Sequence, residues 1–290
     1  DYPWDMQDDE FFDNEEQLYT VEHFEEMLFS ENNFAYPGSA SDYTGSMRDY
    51  YSEVSGGDFT VSGVVTRWYR APENLEFYVG SDYGTGMDYP NNSQRLVEDI
   101  IALADEDVDF SNYDNDGDGI VDAMAFVHAG PGAEEYGRTE IGSRYIWSHK
   151  WQLFEPVDLD GVTISGYNMN PQSGTIGVFC HEFGHTLGLP DLYDTDYSSG
   201  GIGEWGLMSG GGWATRPGDP PGSCPVHMTA WSKKQFDWIQ IEDVSEAMQD
   251  VVIPPVETDH IAYRLWRNGD YRSQEYYLVE NRRQIGFDAG

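Results

Sequence analysis

Three stretches of the chain carry apolar side chains at the spacing of one helix face. The first helix is predicted after Thr20, which can cap it, and the second after Ser93. A third helix is predicted to begin near Thr175 and to end by Gly188, a residue suited to a left-handed helix end. The inward faces of the first two helices consist of Phe24, Met27 and Leu28, and of Leu96, Val97, Ile100, Ile101 and Ala104.

Strand-like segments, rich in β-branched and aromatic residues, become more frequent toward the end of the chain. Residues 58–69 and 120–128 are predicted as strands, and the second is mostly buried. Another helix is predicted over residues 225–236, with Met228 and Trp231 facing inward. The last predicted strands cover residues 251–253, 261–266 and 276–280. Interleaved helices and strands with a strand-rich end predict an α/β (α+β) fold built on a mixed sheet.

These signals divide the chain into three predicted parts. Residues 1–18 form an acidic N-terminal arm, residues 19–245 a catalytic-type body, and residues 246–290 a β-rich C-terminal portion. The aromatic content of 15% argues against disorder of the whole chain despite its high charge.

The charge is strongly one-sided. The 290 residues include 53 Asp and Glu against 15 Lys and Arg, a formal net charge of −38. Nucleic acids and anionic membrane surfaces need clustered cations, so we exclude both as main partners. The sequence also contains no apolar run near the roughly 18 residues of a membrane span. The acidic excess fits a secreted, extracellular protein with a solubilising surface, a saline habitat, or a protein that binds several divalent cations.

The most informative segment contains the pattern His-Glu-x-x-His. His181 and His185 lie one helical turn apart on the same face, so their imidazoles can bind one metal ion. Glu182 points off that axis and can act as general base toward a water on the metal. Asp191 follows the turn at Gly188 and can supply a third ligand. Three protein ligands plus water are typical of a catalytic zinc site.

Two segments resemble the immune inhibitor A–type peptidases, family M6, which are zinc metalloendopeptidases of the metzincin type. The first is HEFGHTLGLPDLYD, residues 181–194, and the second is WGLMSGG, residues 205–211. The resemblance spans residues 20–290 and implies a metzincin-like domain with a twisted mixed sheet, a backing helix and an active-site helix. It also implies that Met208 occupies the Met-turn, a tight loop under the zinc. Asp191 stands where many metzincins have a third histidine, and the M6 pattern itself carries Asp there.

Glu204 is the competing third ligand. It lies 19 positions after His185, a distance similar to that in gluzincin peptidases, where the Glu sits on a second helix. Four of the nine residues 198–206 are glycine, which does not hold a helix. The sequence therefore favours Asp191.

A second cluster of carboxylates resembles the first part of a calcium loop. Four aspartates occupy loop positions 1, 3, 5 and 9, and glycine occupies position 6. Position 12 is Ala125, so the bidentate Glu of an EF-hand is absent. The prediction is a calcium site, and the alternative is an acidic turn before a strand. The four residues are Asp114, Asp116, Asp118 and Asp122.

Cys180 and Cys224 are the only cysteines. A disulfide between them and a buried free thiol on the apolar helix face are equal alternatives.

The predicted function is that of a secreted zinc metalloendopeptidase acting on proteins or peptides, with Glu182 as general base. The alternatives are a gluzincin-type aminopeptidase that uses Glu204, and an inactive zinc-containing binding module. Tyr167, Tyr193 and His227 are candidates for stabilising the oxyanion, and the sequence does not rank them. No oligomeric state is indicated.

Overall fold

A computed structural model describes residues 19–196 and 198–290. The predicted acidic arm, residues 1–18, lies outside the described residues. Within the described ranges there are seven α-helices and six β-strands. The helices are α1 (Val21–Phe29), α2 (Met47–Val54), α3 (Leu75–Val79), α4 (Ser93–Ala104), α5 (Ile176–Thr186), α6 (Ala230–Lys234) and α7 (Val256–Asp259). The strands are β1 (Ala125–His128), β2 (His149–Leu159), β3 (Val162–Pro171), β4 (Gln240–Val244), β5 (Ile261–Trp266) and β6 (Tyr276–Val279). The fold is therefore mixed α/β, as predicted.

The described chain divides into two units that are each discontinuous in sequence. The first contains residues 19–25 and Val64–Gly174, and the second contains Glu26–Gly63 and Thr175–Gly290. Residues 246–290 belong to the same unit as α5, and the sequence-based boundary at residue 245 stays a prediction. No helix of the described residues is long and apolar enough to cross a bilayer.

The first unit contains a three-stranded mixed sheet in the order β1-β3-β2. Strand β1 runs parallel to β3, whereas β2 runs antiparallel to it and shifts register between Gln152 and Val157. Helix α4 supplies Val97 and Ile101 to the core of this unit, where Met169 of β3 is also fully buried. The backing helix that the sequence predicted is therefore confirmed.

The second unit contains another mixed sheet, in the order β4-β5-β6. Strand β4 pairs parallel with β5, and β5 pairs antiparallel with β6. Its small core combines Ala230 of α6, Ile239, Val256 of α7 and Ala262 of β5.

Helix α5 is held at both ends by contacts within the second unit. At its start the Ile176 N–H donates to the hydroxyl of Tyr36 at 2.6 Å, and the Gly177 N–H donates to the Gly222 carbonyl at 2.9 Å. These bonds satisfy amide groups that a helix start leaves without partners inside the helix. At its end Gly188 takes a φ of +101°, the conformation that the sequence predicted for it.

Several helix and strand predictions need correction. The predicted strand over 58–69 is irregular chain, in which Gly63 packs against the ring of Phe29. No strand in the part of the chain that the structure describes completes a ladder with it. Residues 251–253 are also irregular, and the strand predicted over 120–128 begins only at Ala125. A regular strand needs a partner strand, and alternation of side chains alone does not supply one.

Two helix predictions were wrong in their bounds. Asn92, and not Ser93, caps α4, because its Oδ1 accepts the Arg95 N–H at 3.2 Å. The helix predicted over 225–236 is only Ala230–Lys234, because Thr229 caps it, and Trp231 is exposed. By contrast α1 begins after Thr20 as predicted, and β5 covers Ile261–Trp266 as predicted.

Candidate metal centre and active site

Three side chains of the second unit converge on one point. His181 and His185 project from the same face of α5, and their Nε2 atoms lie 3.2 Å apart. Asp191 Oδ1 lies 3.1 Å from His181 Nε2 and 3.2 Å from His185 Nε2. The two nitrogens and the oxygen thus form a nearly equilateral triangle.

The triangle has the dimensions that a tetrahedral zinc ion requires. Zinc binds imidazole nitrogen and carboxylate oxygen at about 2.0–2.2 Å, so ligand atoms at tetrahedral angles stand about 3.3 Å apart. The three observed edges of 3.1–3.2 Å agree with this value. Two imidazoles and one carboxylate are also a donor set that zinc accepts. The residues present therefore fit the ion.

Backbone carbonyls fix the orientation of both imidazoles. His181 Nδ1 lies 3.0 Å from the Leu207 carbonyl, and His185 Nδ1 lies 2.7 Å from the Leu189 carbonyl. A carbonyl can only accept, so each Nδ1 carries the hydrogen, and each neutral ring presents the lone pair of Nε2 to the triangle. Outer hydrogen bonds of this kind hold metal-binding histidines in the correct tautomer.

The three side chains of the triangle shift one another's pKa values. Burial lowers the pKa of His181 and of His185, but their hydrogen bonds to Asp191 and to backbone carbonyls, together with the charge of Glu182, outweigh burial, so both pKa values are raised. Burial raises the pKa of Asp191, but the hydrogen bonds and the charges of the two imidazoles together outweigh burial and hold that pKa well below its ordinary value. Metal ions must therefore compete with protons for this site, as they do wherever ligands deprotonate on binding.

The chain between the helix and Asp191 is held by hydrogen bonds on both sides. The Leu189 N–H donates to the Gly184 carbonyl at 3.0 Å, which closes the turn at Gly188. One residue after Asp191, the Leu192 N–H donates to the Met208 carbonyl at 2.8 Å. Asp191 is thereby fixed between the helix end and the segment that carries Met208.

Met208 packs directly against α5 between the two histidines. Its side chain is buried, and its sulfur lies only 2.6 Å from the point where a Cβ on Gly184 would stand. Its neighbour Leu207 accepts the hydrogen bond from His181. The turn that contains Met208 therefore supports one ligand through a carbonyl and the helix through a side chain.

Comparisons with known proteins show the family of the chain. Residues 4–239 match the family described as immune inhibitor A peptidase M6, catalytic domain. The chain belongs to peptidase family M6. It is 34% identical over 262 residues to Immune inhibitor A of Bacillus thuringiensis subsp. alesti, an alignment that covers 78% of this chain and 37% of that protein. It is 33% identical over 285 residues to the pre-pro-metalloprotease PrtV of Vibrio cholerae serotype O1 (strain M66-2), covering 84% of this chain and 30% of that protein. The chain spans about a third of the length of these curated relatives.

Glu182, which follows His181 in the His-Glu-x-x-His pattern, is buried on α5. Its charge raises the pKa of both His181 and His185, so the carboxylate lies near both imidazoles. Glu204 behaves differently. It is exposed in a turn, and it is absent from the group of ligand atoms formed by the described residues around α5.

The structure brings three of the four predicted calcium-loop aspartates together. Asp114, Asp116 and Asp118 form a cluster of carboxylates in the first unit. Asp122 does not join them, because its Oδ2 accepts the Asn115 backbone N–H at 2.8 Å and the Asn115 side-chain amide at 2.6 Å. Asp122 therefore lies outside this group in the structure, and its role as a calcium ligand stays a prediction.

Both cysteines of this M6 domain are free and buried, so the disulfide alternative is not formed. Cys180 lies on the buried face of α5, and Tyr51 donates a hydrogen bond to its carbonyl at 2.7 Å. Cys224 is directed toward the Phe287 carbonyl at 3.2 Å.

Sequence reasoning missed the groups that hold the ligands. The Leu189 and Leu207 carbonyls orient the histidines, and Gly184 admits Met208 against the helix. A signal for the last contact was available, because a glycine inside a helical pattern costs stability unless something packs against it closely.

We expect Asp191→Ala to lower zinc affinity by more than about 100-fold, because even the outer partners of zinc ligands contribute 10- to 100-fold. Glu204→Ala is the matched control and should leave zinc affinity unchanged. Competition with a chromophoric chelator measures both. The reverse ranking would make Glu204 the third ligand.

We expect Met208→Ala to destabilise the domain by about 2–5 kcal/mol, the range for truncating a buried methionine, without removing the zinc site. Met248 is exposed, so Met248→Ala should change stability by less than about 0.5 kcal/mol. Urea denaturation of the zinc-loaded proteins gives the comparison. Loss of zinc binding in Met208→Ala with unchanged stability would contradict a supporting role.

Proposed function

We propose that this M6 domain is a zinc-dependent metalloendopeptidase that hydrolyses peptide bonds in proteins. The observation that carries the proposal is the triangle of His181 Nε2, His185 Nε2 and Asp191 Oδ1, with edges of 3.1–3.2 Å, beside the buried carboxylate of Glu182. Membership of family M6 and the match to its catalytic domain support a metal-dependent peptidase. The relatives that match are named as an immune inhibitor and as a metalloprotease, and neither name states a substrate.

Each residue has a defined task in this reaction. His181, His185 and Asp191 hold the zinc ion, which when bound polarises the scissile carbonyl and acidifies water. Glu182 takes one proton from the attacking water at a carboxylate oxygen, while the water oxygen bonds to the carbonyl carbon and the π pair moves to the carbonyl oxygen. The electron pair on that oxygen then re-forms the carbonyl double bond while the carbon–nitrogen bond breaks. The electron pair of the broken bond goes to the nitrogen, and Glu182 returns the proton there.

The alternatives make different products from a denatured protein. An endopeptidase releases internal fragments, an aminopeptidase shortens the chain one residue at a time from its N-terminus, and a binding module releases nothing. Mass spectrometry of the digest separates all three. The exposed position of Glu204, away from the ligand triangle, disfavours the aminopeptidase arrangement.

We further propose that the protein acts outside the cell. A formal net charge of −38 gives it a strongly anionic surface, which keeps a protein soluble and separate from other anions. Its partners are then the proteins and peptides that it cleaves.

We expect Glu182→Gln to bind zinc normally and to lose peptide hydrolysis, because the amide keeps the shape of the carboxylate but cannot take a proton. The loss should reach at least the 10²–10⁴-fold contribution that is typical of a general base. The control is the same substitution at an exposed glutamate, Glu204→Gln, which should retain activity. Metal analysis and fluorogenic peptide assays test both variants, and normal turnover of Glu182→Gln would refute the mechanism.

We also propose that calcium stabilises the loop that carries Asp114, Asp116 and Asp118. Three clustered carboxylates repel one another, and calcium prefers oxygen ligands. The melting temperature of the zinc-loaded protein should rise with calcium at constant ionic strength, because an ion that binds only the native state stabilises it. The rise should disappear in Asp116→Asn plus Asp118→Asn. An equal effect of sodium would show ordinary screening and leave the loop an acidic turn.

A further inference from the structure

Peptide hydrolysis places negative charge on the carbonyl oxygen, and a positioned hydrogen-bond donor can stabilise that charge. The sequence offers Tyr167, Tyr193 and His227 as donors without ranking them. Their surroundings in the structure differ enough to rank them.

Two of the three have no access to a substrate. Tyr167 lies in the core of the first unit, where its hydroxyl is 3.3 Å from both Ser93 Oγ and His149 Nε2. His227 is fully buried and both ring nitrogens are engaged. Its Nδ1 lies 2.8 Å from Lys233 Nζ, and its Nε2 lies 2.8 Å from an oxygen of Glu53.

Tyr193 lies beside the metal triangle and faces solvent. Its ring is nearly parallel to that of His181, with 18° between the planes and 6.4 Å between the centroids. Its side chain is 40% exposed, so a peptide can reach it. It follows Asp191 by two residues, which ties its backbone to a ligand.

The backbone under Tyr193 is fixed from two directions. Leu192 donates to the Met208 carbonyl at 2.8 Å, and its own carbonyl accepts the Ile202 N–H at 3.1 Å. Gly201, at a φ of +55°, lies so close that a Cβ there would stand 2.7 Å from the Tyr193 Cα. The backbone that carries Tyr193 is therefore held in place. A hydrogen-bond donor that is already positioned needs little reorganisation during the reaction.

We propose that Tyr193 is a further catalytic residue, whose phenolic O–H donates a hydrogen bond to the carbonyl oxygen of the scissile peptide as that oxygen gains charge. The inference rests on the proposed peptidase function. A tyrosine hydroxyl carries a hydrogen that it can donate in a hydrogen bond. A bond that strengthens as charge develops stabilises the transition state more than the bound substrate, so it raises kcat and leaves KM nearly unchanged.

The test compares the zinc-loaded wild-type chain with Tyr193→Phe, which removes only the hydroxyl, and Tyr193→Ala, which also removes the ring beside His181. Tyr271→Phe is the control, because Tyr271 is an exposed tyrosine of the same unit whose ring lies beside its sequence neighbour Arg272. The measurements are kcat and KM on a fluorogenic peptide, zinc content, and the calorimetric Kd of a phosphinic peptide that mimics the tetrahedral intermediate.

For Tyr193→Phe we expect kcat to fall by roughly 10- to 100-fold, less than the 10²–10³-fold of an enclosed oxyanion donor because the ring is partly exposed. The phosphinic peptide should bind more weakly by a similar factor, while KM, zinc content and Tyr271→Phe stay unchanged. If Tyr193→Phe matches the active wild type in kcat and phosphinic-peptide affinity, the inference is wrong and the peptidase proposal stands. The same holds if only Tyr193→Ala is impaired, since the ring then packs without donating. A zinc-loaded wild type that hydrolyses no peptide overturns both proposals.

Discussion

The convergence of three electron-pair donors within 3.2 Å is the constraint on which the rest of the second unit depends. His181 Nε2, His185 Nε2 and Asp191 Oδ1 would repel one another without a proton or a cation between them. Their side chains could relieve this repulsion by rotating apart, unless other groups hold them. The fold supplies such groups, because both Nδ1 atoms donate to backbone carbonyls and the chain around Asp191 is bonded on both sides. The site is thus prepared for an ion before the ion arrives, which reduces the reorganisation that binding requires.

Residues distant in sequence brace the helix that carries two of these donors. Tyr36 accepts from the first amide of α5, and Tyr51 donates to the Cys180 carbonyl, one residue before His181. Gly177 can approach the chain at Gly212 only because it lacks a Cβ, which would stand 2.0 Å from the Gly212 carbonyl oxygen. The motif is local, but its geometry depends on segments more than a hundred residues upstream.

The contrast between a local motif and its distant supports explains what the sequence could and could not predict. The meeting of His181 and His185, helix α5 and the turn at Gly188 follow from a spacing within and just after one helix, so they were predictable. Strands β2 and β3 were not recognised, although Asp160 and Gly161 between them both take positive φ, and Asp-Gly is a strong hairpin signal. The false strand over 58–69 has the opposite cause, since its alternating pattern finds no partner strand among residues 19–196 and 198–290. The position of Asp122 depends on its hydrogen bonds to Asn115, which spacing in a calcium loop does not reveal.

Basic residues are scarce in this chain, and two of them are buried in the second unit. Only 15 of 290 residues are Lys or Arg, yet Lys233 is fully buried and Arg282 nearly so. Burial lowers the pKa of Lys233 to about 8, against the opposing charges of Glu280 and Asp288.

Arg282 and Lys233 therefore neutralise carboxylates inside the second unit, where removing one partner would leave an uncompensated charge. Arg282 pairs with Asp288, and Asp288 also accepts the His227 backbone N–H at 2.8 Å. The segment near residue 288 is thereby joined to the chain that follows the Met208 turn. The strands after residue 260 thus contribute to the unit that carries the metal site. In the whole chain Asp and Glu outnumber Lys and Arg by 53 to 15, which leaves the protein strongly anionic.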